Sequence, residues 1–165
     1  MTPRLVLIGA PAAGKTRLGK RIARLLNLPF RDTDKMVVEK HGPIPEIFAE
    51  HGEAQFRVWE REAVIEALSS EGIVAFGGGA VLNTDTQNDL AGLTVALVSI
   101  TPEAAEKRIQ DSSRPLLAGG IDAWRALVSA RQPIYDRVST FVVDTSRRPL
   151  DHIAEEVAAQ LQESA

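Results

Sequence analysis

Residues 9–16 read GAPAAGKT and match the pattern G-x-x-x-x-G-K-[ST] at Gly9, Gly14, Lys15 and Thr16. The glycines let the backbone curl so that its N–H groups point inward and form an anion site with the following helix N-terminus. Lys15 can then reach the β- and γ-phosphates of a nucleoside triphosphate, and the Thr16 hydroxyl can ligate Mg²⁺. The alternative is a chance match on a glycine-containing turn. The motif predicts ATP or GTP with Mg²⁺ and leaves open what is phosphorylated.

Two carboxylates follow the second predicted strand, in the sequence FRDTD. In an extended chain residues i and i+2 point the same way, so Asp32 and Asp34 are predicted to face one side. That side lies at the carboxyl end of a strand, where α/β sheets bind ligands. One carboxylate can serve Mg²⁺ and the other the attacking hydroxyl. Asp32 is the metal candidate, because the third strand ends in glycines instead of an aspartate. The alternative for Asp32 is a helix N-cap.

Three arginines and a glycine run are further candidates. Arg57 has glutamates three and four residues away, so an ion pair along its own helix is the alternative to a binding role. Arg114 lies in SSRPLLAGG, which has the composition of a mobile loop, and Arg131 lies in ARQPIY. Either can stabilise phosphoryl charge or grip a carboxylate, and a solvated surface arginine is the alternative for both. Gly77–Gly79 would expose backbone N–H groups to a substrate, or form a simple tight turn.

The overall composition excludes several classes of protein. The 165 residues are enough for one domain with a substantial core. A net charge of −3 without a long basic run argues against nucleic acid as the main partner. The absence of cysteine excludes disulfides, thiolate metal sites and cysteine nucleophiles. The N-terminal apolar run is too short for a signal peptide. We expect a cytoplasmic monomer with no membrane partner.

Strand-like and helix-like segments alternate along the chain, which predicts a three-layer α/β sheet with parallel strands. Strands are predicted at 4–9, 28–31, 73–76, 93–100 and 139–144. Helices are predicted at 15–27, 34–41, 45–51, 53–69, 102–110, 122–137 and 149–162. Pro133 is expected to disturb its helix, and Trp59 is expected to lie in the core.

The pieces GAPAAGKT, DTD, GEAQFR, GGGA, RPLLAG, RQPIY and TSRRP occur in an order that resembles the shikimate kinase family, over about residues 4–160. The resemblance implies an adenylate-kinase-like P-loop kinase fold, with a five-stranded parallel sheet and a mobile lid. It implies one domain over 1–165, with a substrate-binding segment at about 32–61 and a lid at about 112–122. It also implies phosphorylation of the shikimate 3-hydroxyl by MgATP, in chorismate and aromatic amino acid biosynthesis.

The resemblance also implies roles for particular residues. Asp34 would hold the shikimate hydroxyls and position or deprotonate the attacking one, and Arg57 and Arg131 would grip the carboxylate. Gly78 and Gly79 would offer backbone donors to the substrate.

On the nucleotide side, Thr16 would bind Mg²⁺ directly and Asp32 would hold it through water. Lys15 and the lid residue Arg114 would act on the phosphates, and Arg108 and the Arg148-Pro149 segment would flank adenine. The remaining ATP-binding residues implied are those of the phosphate loop, Pro11, Ala12, Ala13 and Gly14.

The chain departs from the family pattern in the phosphate loop and in the substrate-binding region. Ala12-Ala13 stands where the family usually has Gly-Ser, and Thr16 stands where Ser is common. Thr16 keeps the hydroxyl, whereas Ala12 removes backbone freedom, so we expect an effect on nucleotide affinity. Gly42-Pro43 stands where the family often has a basic residue and a serine, so we expect an effect on substrate affinity there.

Other interpretations of the sequence remain. A gluconate kinase or a nucleoside monophosphate kinase would share the phosphate loop, but neither explains DTD, FR and GGG together. A nucleotide-dependent switch or a binding module is the alternative from another class, and the N-K-x-D guanine reader of a GTPase is absent from the sequence.

Overall fold

The computed structural model describes residues 1–110 and 119–164, and its centre is a five-stranded parallel sheet. The strands are β1 (Leu5–Gly9), β2 (Phe30–Asp32), β3 (Ile73–Ala75), β4 (Val95–Ser99) and β5 (Phe141–Asp144). The helices are α1 (Lys15–Leu26), α2 (Thr33–His41), α3 (Ile44–Ala67), α4 (Thr84–Asp89), α5 (Pro102–Gln110), α6 (Gly120–Val138) and α7 (Leu150–Glu163). The predicted α/β class with a parallel sheet is confirmed.

Strand β1 lies in the middle of the sheet, whose order is β2-β3-β1-β4-β5, and all of its residues are buried. Successive side chains of a strand point to opposite faces. Leu5 and Leu7 therefore pack in one apolar cluster with α1 and α7, whereas Val6 and Ile8 pack in another with α3. Helices on both faces give the predicted three layers. The segment that follows β1 lies at the middle of the carboxyl edge, where such sheets bind ligands.

Helices α2 and α3 form a hairpin, residues 33–67, with a small apolar cluster of its own that includes Val37, Ile47 and Phe56. Gly42, with a φ of 92°, ends α2. Gly52, with a φ of 85°, interrupts α3 with non-helical backbone. The separate helices predicted at 45–51 and 53–69 are therefore two parts of α3, and the break between them is where the sequence predicts it.

Two details of the helices differ from the sequence-based expectation. No sequence pattern signals the 3₁₀ turn Ala80–Leu82 or α4, because the six residues TDTQND carry no apolar period. Asn83 starts α4 instead, since its side chain accepts a hydrogen bond from the N–H of Thr86 at 3.0 Å. Helix α6 continues through Pro133, which was expected to disturb it. The helix packs against the core on both sides of this residue.

The sequence predicts that Trp59 is a core residue. In the structure it is only half-buried, at the edge of the hairpin's apolar cluster. Its ring stacks on that of His41, with 3.8 Å between the ring centroids and 5° between the planes. His51 meets the same indole edge-on at 5.3 Å. The helical spacing of apolar residues in α3 was interpreted correctly. The indole of Trp59, however, packs against two imidazoles as well as against the apolar cluster.

Residues 112–118 of the predicted lid lie outside the described residues, and α6 begins at Gly120. Within residues 1–110 and 119–164, no helix combines the length and the apolar character that crossing a membrane requires.

Candidate active site

A cavity of about 640 Å³ opens at the carboxyl ends of β1, β2 and β3. It brings together most of the residues that the sequence singled out. They are Pro11, Ala12, Gly14, Lys15, Thr16, Asp32, Asp34, Arg57, Gly78, Gly79 and Arg131. The lining also includes an apolar wall, by which we mean the side chains of Val38, Ile44, Phe56 and Phe76 taken together. The cavity can therefore hold a charged group and the face of a carbon ring at the same time.

The phosphate loop leaves β1 through Gly9, whose φ is 144°. A methyl group at this position would collide with the carbonyl oxygen of Val98, so only glycine fits. Lys15 Nζ donates to the carbonyl oxygens of Gly9 at 2.7 Å and Ala10 at 3.0 Å. The ammonium group is thereby held across the loop, at the start of α1. Ala13 is fully buried and supports the loop from behind instead of lining the cavity.

Ala12 adopts a left-handed conformation, with a φ of 70°, in the middle of the loop. Its carbonyl oxygen accepts a hydrogen bond from Arg108 Nη1 at 3.0 Å. Arg108 Nη2 donates to the carbonyl oxygen of Thr145 at 2.7 Å. Arg108 thus joins the phosphate loop to the segment after β5. The left-handed conformation of Ala12, which carries a Cβ, introduces backbone strain at this point.

We expect Ala12→Gly to stabilise the protein, because glycine adopts a positive φ without the steric conflict of an alanine Cβ. The gain should be about 1 kcal/mol, which corresponds to a rise in Tm of about 2–4 °C for a chain of this size. Thermal unfolding followed by circular dichroism measures it. Ala13→Gly is the matched control and should lower Tm, since Ala13 is buried and outside the set of positive-φ residues. An unchanged or lower Tm for Ala12→Gly would contradict strain at this position.

Asp32 caps α2 and also contacts Thr16. Its Oδ1 caps α2 and accepts from the N–H groups of Asp34 at 3.0 Å and Lys35 at 3.3 Å. Its Oδ2 accepts a hydrogen bond from Thr16 Oγ1 at 2.6 Å. A hydroxyl and a carboxylate in contact beside a phosphate loop are the hard oxygen ligands that suit Mg²⁺. The pair therefore fits the metal that the sequence predicts.

Asp34 reaches the cavity from the first turn of α2. Asp32 and Asp34 both line the cavity, so they face one side as predicted, but the predicted extended strand was wrong, because β2 ends at Asp32 and Asp34 lies in α2. Burial raises the pKa of the Asp34 carboxyl, and the charge of Asp32 raises it further. Lys15 and Arg57 oppose this shift of the pKa. A carboxylate with a raised pKa beside two cations is suited to accept a proton.

The three glycines after β3 make room for three charged side chains. A methyl group at Gly77 would collide with Asp34 Oδ1, and one at Gly79 would lie 2.5 Å from Arg57 Nη1. At Gly78 it would lie 3.2 Å from Arg131 Nη1, which donates to the carbonyl oxygen of Gly78 at 2.8 Å. The glycine run therefore lets one carboxylate and two guanidinium groups converge on a bare stretch of backbone, which a simple tight turn would not require.

Arg57 both forms the ion pairs of its own helix and lines the cavity. Its Nη1 donates to Glu60 Oε1 at 2.8 Å and its Nη2 to Glu53 Oε1 at 3.3 Å. Glu60 is 4% exposed, and burial raises the pKa of its carboxyl while Arg57 opposes the shift. Glu60 also lines the cavity, and the sequence analysis missed it. The available signal was a charged residue on the apolar face of α3, four residues from both Phe56 and Val64.

One predicted residue lies apart from this group. Arg148 is exposed, pairs with Glu156, and lines a separate groove between β5 and α7. Its predicted contact with adenine stays a prediction. Arg114 lies outside the described residues.

Trp124 also touches the phosphate loop. The buried Trp124 of α6 donates from Nε1 to the carbonyl oxygen of Pro11 at 2.8 Å. The loop is thus fixed from α6 by Trp124 and from α5 by Arg108.

Comparison with known proteins gives a consistent result. The family model for shikimate kinase matches residues 11–162. The shikimate kinase of Thermobifida fusca (strain YX) is 44% identical over 163 residues, which cover 96% of this chain and 95% of that protein. The shikimate kinase of Salinispora arenicola (strain CNS-205) is 45% identical over 165 residues, covering 98% of this chain and 99% of the relative.

Solved structures agree with these relatives. The shikimate kinase from Acinetobacter baumannii in complex with shikimate superimposes with a TM-score of 0.88 at 28% identity, covering 99% of this chain and 94% of that one. A gluconokinase from Sinorhizobium meliloti 1021 shares the fold, with a TM-score of 0.63 and 20% identity over 98% of this chain and 92% of its own.

Proposed function

This chain belongs to the shikimate kinase family, and we propose how the residues of its cavity divide the work of the family's reaction. The protein is a kinase that transfers the γ-phosphate of ATP to the 3-hydroxyl of shikimate, a step of aromatic amino acid biosynthesis. The observation that carries the assignment of roles is the glycine run at 77–79, on which Asp34, Arg57 and Arg131 converge.

Shikimate carries one carboxylate and several hydroxyl groups, and the cavity offers a partner for each kind of group. We propose that Arg57 and Arg131 bind the carboxylate, since a guanidinium can present two parallel N–H donors to it. Asp34 accepts a hydrogen bond from the attacking hydroxyl and takes up its proton. Gly78 and Gly79 contribute backbone N–H groups. The apolar wall described above packs against the carbon ring.

The nucleotide occupies the phosphate-loop side of the same cavity. Lys15 and the loop N–H groups bind the phosphates, and Arg108 keeps the loop in shape from the segment after β5. Thr16 and Asp32 would hold Mg²⁺, which neutralises charge on the β- and γ-phosphates when bound. Proton acceptance at Asp34 and phosphate binding at Lys15 thus occur at neighbouring points of the carboxyl edge, as direct transfer requires.

Further proposals concern the domain organisation, the oligomeric state, the location and the partners of the protein. One domain over 1–165 is supported by the single sheet that all the described strands share. A monomer is supported by the scattered positions of exposed apolar side chains such as Leu25, Val58 and Val142, which lie on different elements. A cytoplasmic location is supported by the use of ATP. Shikimate and MgATP account for the described charged groups of the cavity, so we propose no nucleic-acid partner.

Coupled ADP release with MgATP tests the assignment, with shikimate, gluconate, AMP and no acceptor compared side by side. Release that depends on shikimate alone is the expected result. Gluconate is the relevant competitor, because a gluconokinase shares the fold. ADP release with gluconate or AMP, or no release above background, would contradict the assignment of shikimate as the acceptor. It would not affect the assignment of residues 9–16 as the phosphate-binding loop.

Arg57→Ala is expected to raise the KM for shikimate by about 10- to 100-fold, the effect of removing a charge-assisted hydrogen bond. The dissociation constant of ADP should stay nearly unchanged, since Arg57 lies against Gly79 and pairs with Glu53 and Glu60, none of which belongs to the phosphate loop. Steady-state kinetics and calorimetry measure the two quantities.

Arg61→Ala is the matched control for Arg57→Ala. Arg61 lies one helical turn further on, pairs with Asp89 at 2.6 Å and does not line the cavity. Adding Glu60→Gln to Arg57→Ala separates the lost contact from the effect of a buried carboxylate left without its partner. Equal losses of shikimate and ADP binding in Arg57→Ala would indicate a structural role.

A further inference from the structure

The carbonyl oxygen of Gly78 differs from its neighbours in the glycine run in the kind of donor that it accepts from. The carbonyls of Gly77 and Gly79 accept from backbone N–H groups three residues further on, both at 3.1 Å. The carbonyl of Gly78 accepts instead from two side chains of α6, Arg131 Nη1 at 2.8 Å and Tyr135 Oη at 3.5 Å. An arginine of the cavity and a tyrosine that the proposed function does not use therefore share one acceptor.

Tyr135 reaches this carbonyl from the interior of the protein. Its side chain is 1% exposed, and its ring belongs to the apolar cluster that includes Val6 and Ile8. Arg131 lies one helical turn earlier and lines the cavity, which Tyr135 does not. The packing of the ring fixes where the phenol oxygen lies, whereas the longer side chain of Arg131 has room to turn on the cavity side.

The phenol of Tyr135 is a hydrogen-bond donor at neutral pH. Burial raises the pKa of its hydroxyl, and the charge of Arg131 opposes the shift. A buried hydroxyl needs an acceptor, and the carbonyl of Gly78 lies within its reach. At 3.5 Å this bond is longer than the usual O–H···O distance of about 2.7–2.8 Å. The bond is therefore weak while Arg131 occupies the carbonyl.

Binding of the shikimate carboxylate would draw Arg131 away from Gly78. A carboxylate is a stronger acceptor for a guanidinium than a peptide carbonyl is, because both partners are charged. When Arg131 turns to the carboxylate, the carbonyl of Gly78 loses its short hydrogen bond. A partly buried acceptor without a donor is unfavourable. Tyr135 Oη already lies beside this carbonyl and can shorten its own bond to it.

We propose that Tyr135 is a positioning residue for Arg131, whose place on the carbonyl of Gly78 the tyrosine hydroxyl takes over when Arg131 binds the carboxylate of the acceptor. The exchange keeps the carbonyl hydrogen-bonded, so Arg131 can bind the carboxylate without leaving a backbone acceptor unpaired. This inference deepens the proposed role of Arg131 and rests on it. It also gives a role to the tyrosine of the sequence RQPIY.

Steady-state kinetics of Tyr135→Phe, Arg131→Ala and the double variant test the proposal. Tyr135→Phe should raise the KM for shikimate by about 3- to 10-fold, the size expected for one neutral hydrogen bond, and leave kcat and the dissociation constant of ADP within about twofold. The double variant should have the KM of Arg131→Ala within about twofold, because Tyr135 acts through Arg131. An unchanged KM in Tyr135→Phe, or two increases that multiply in the double variant, would overturn the proposal.

Thr86→Val is the matched control for Tyr135→Phe. Thr86 is also fully buried, and its hydroxyl accepts from Arg61 Nη1 at 3.0 Å, away from the catalytic cavity. Loss of this hydroxyl should lower the Tm and leave the KM for shikimate close to that of the parent enzyme. An equal rise in KM in this variant would show that the rise in Tyr135→Phe reflects weakened packing, and the specific role of Tyr135 would fall.

Tyr135 is the single tyrosine of the chain, so its hydrogen bond can be observed directly. In protein isotopically labelled at the tyrosine Cζ carbon, the one resonance should shift when shikimate is added without nucleotide. In Arg131→Ala the hydroxyl already holds the carbonyl, so saturating shikimate should leave the resonance in place. A resonance that stays unchanged in the parent protein would overturn the proposal, whatever the stability of the variants.

Arg131→Ala alone separates this inference from the function on which it rests. If that variant keeps the parent KM for shikimate, the proposed role of Arg131 fails, and the inference fails with it. If Arg131→Ala raises the KM and Tyr135→Phe does not, the inference fails and the proposed function is unaffected.

Discussion

Replacing Asp34 by asparagine lowers kcat by about 10²- to 10⁴-fold, the range expected when a general base is removed. The dissociation constant for ATP changes little, because Asp34 lies beside the glycine run and not on the phosphate loop. Asparagine keeps the size of the side chain, so the close approach at Gly77 is preserved. Single-turnover kinetics at saturating substrates, together with nucleotide titration, separate the two effects. An unchanged rate would remove the catalytic role of Asp34.

The pH profile provides an independent check on the same residue. Burial raises the pKa of Asp34, and the reaction needs its unprotonated form. In the parent enzyme kcat/KM therefore falls as the pH is lowered through this raised pKa, at a higher pH than an ordinary aspartate would give. Asp34→Asn has a low rate that lacks this dependence on Asp34.

The contribution of Asp34 to the stability of the fold depends on pH in the opposite direction from its contribution to the rate. Since the pKa of Asp34 is higher in the folded than in the unfolded protein, folding favours the protonated form. This group therefore contributes stability below its unfolded pKa, and the contribution is lost as the pH rises through the folded pKa. At neutral pH the buried charge is unfavourable, so Asp34→Asn should unfold at an equal or higher temperature. A lower Tm would indicate that the loss of activity is a folding defect.

Replacing Lys15 by methionine should abolish turnover, with a loss of about 10³-fold or more, because a preorganised cation at the transferring phosphate is removed. Lys15 Nζ is held at the mouth of the loop by the carbonyl oxygens of Gly9 and Ala10. Methionine has a similar length and keeps the apolar stem but donates no hydrogen bond. ADP release in the presence of shikimate measures the loss.

Lys20→Met is the control for Lys15→Met. Lys20 is exposed and lies on the same helix, outside the residues that line the cavity. We expect its activity to stay close to that of the parent enzyme. Substantial activity in Lys15→Met would overturn the assignment of residues 9–16 as the phosphate-binding loop.

The sheet and the phosphate loop could be predicted from the sequence because both are local. The five strands are short apolar runs, and Gly9, Gly14, Lys15 and Thr16 stand at fixed spacing between a strand and a helix. The orientation of Asp34 was predicted from an extended strand, whereas Asp34 lies in the first turn of α2. Strand pairing ends at Asp32, and the hydrogen bonds that cap α2 take over from there.

The convergence on the glycine run could not be predicted from local patterns. Asp34, Arg57 and Arg131 come from three different helices and meet Gly77–Gly79 through contacts across the fold. Sequence patterns report neighbours three or four residues apart, which is why the ion pair of Arg57 with Glu60 was visible as an alternative. The burial of Glu60 depends on how α3 packs, and so its place at the site was missed.

The two tryptophans of this chain contact two different elements that carry residues of the cavity. Trp124 donates its indole N–H to Pro11 in the phosphate loop, and Trp59 stacks on His41 in the hairpin that carries Asp34 and Arg57. Each indole is therefore placed to respond to a different substrate. We expect the emission of Trp124 to change when the nucleotide binds and the emission of Trp59 to change when the acceptor binds, so that single Trp→Phe variants can show the order in which the two substrates bind.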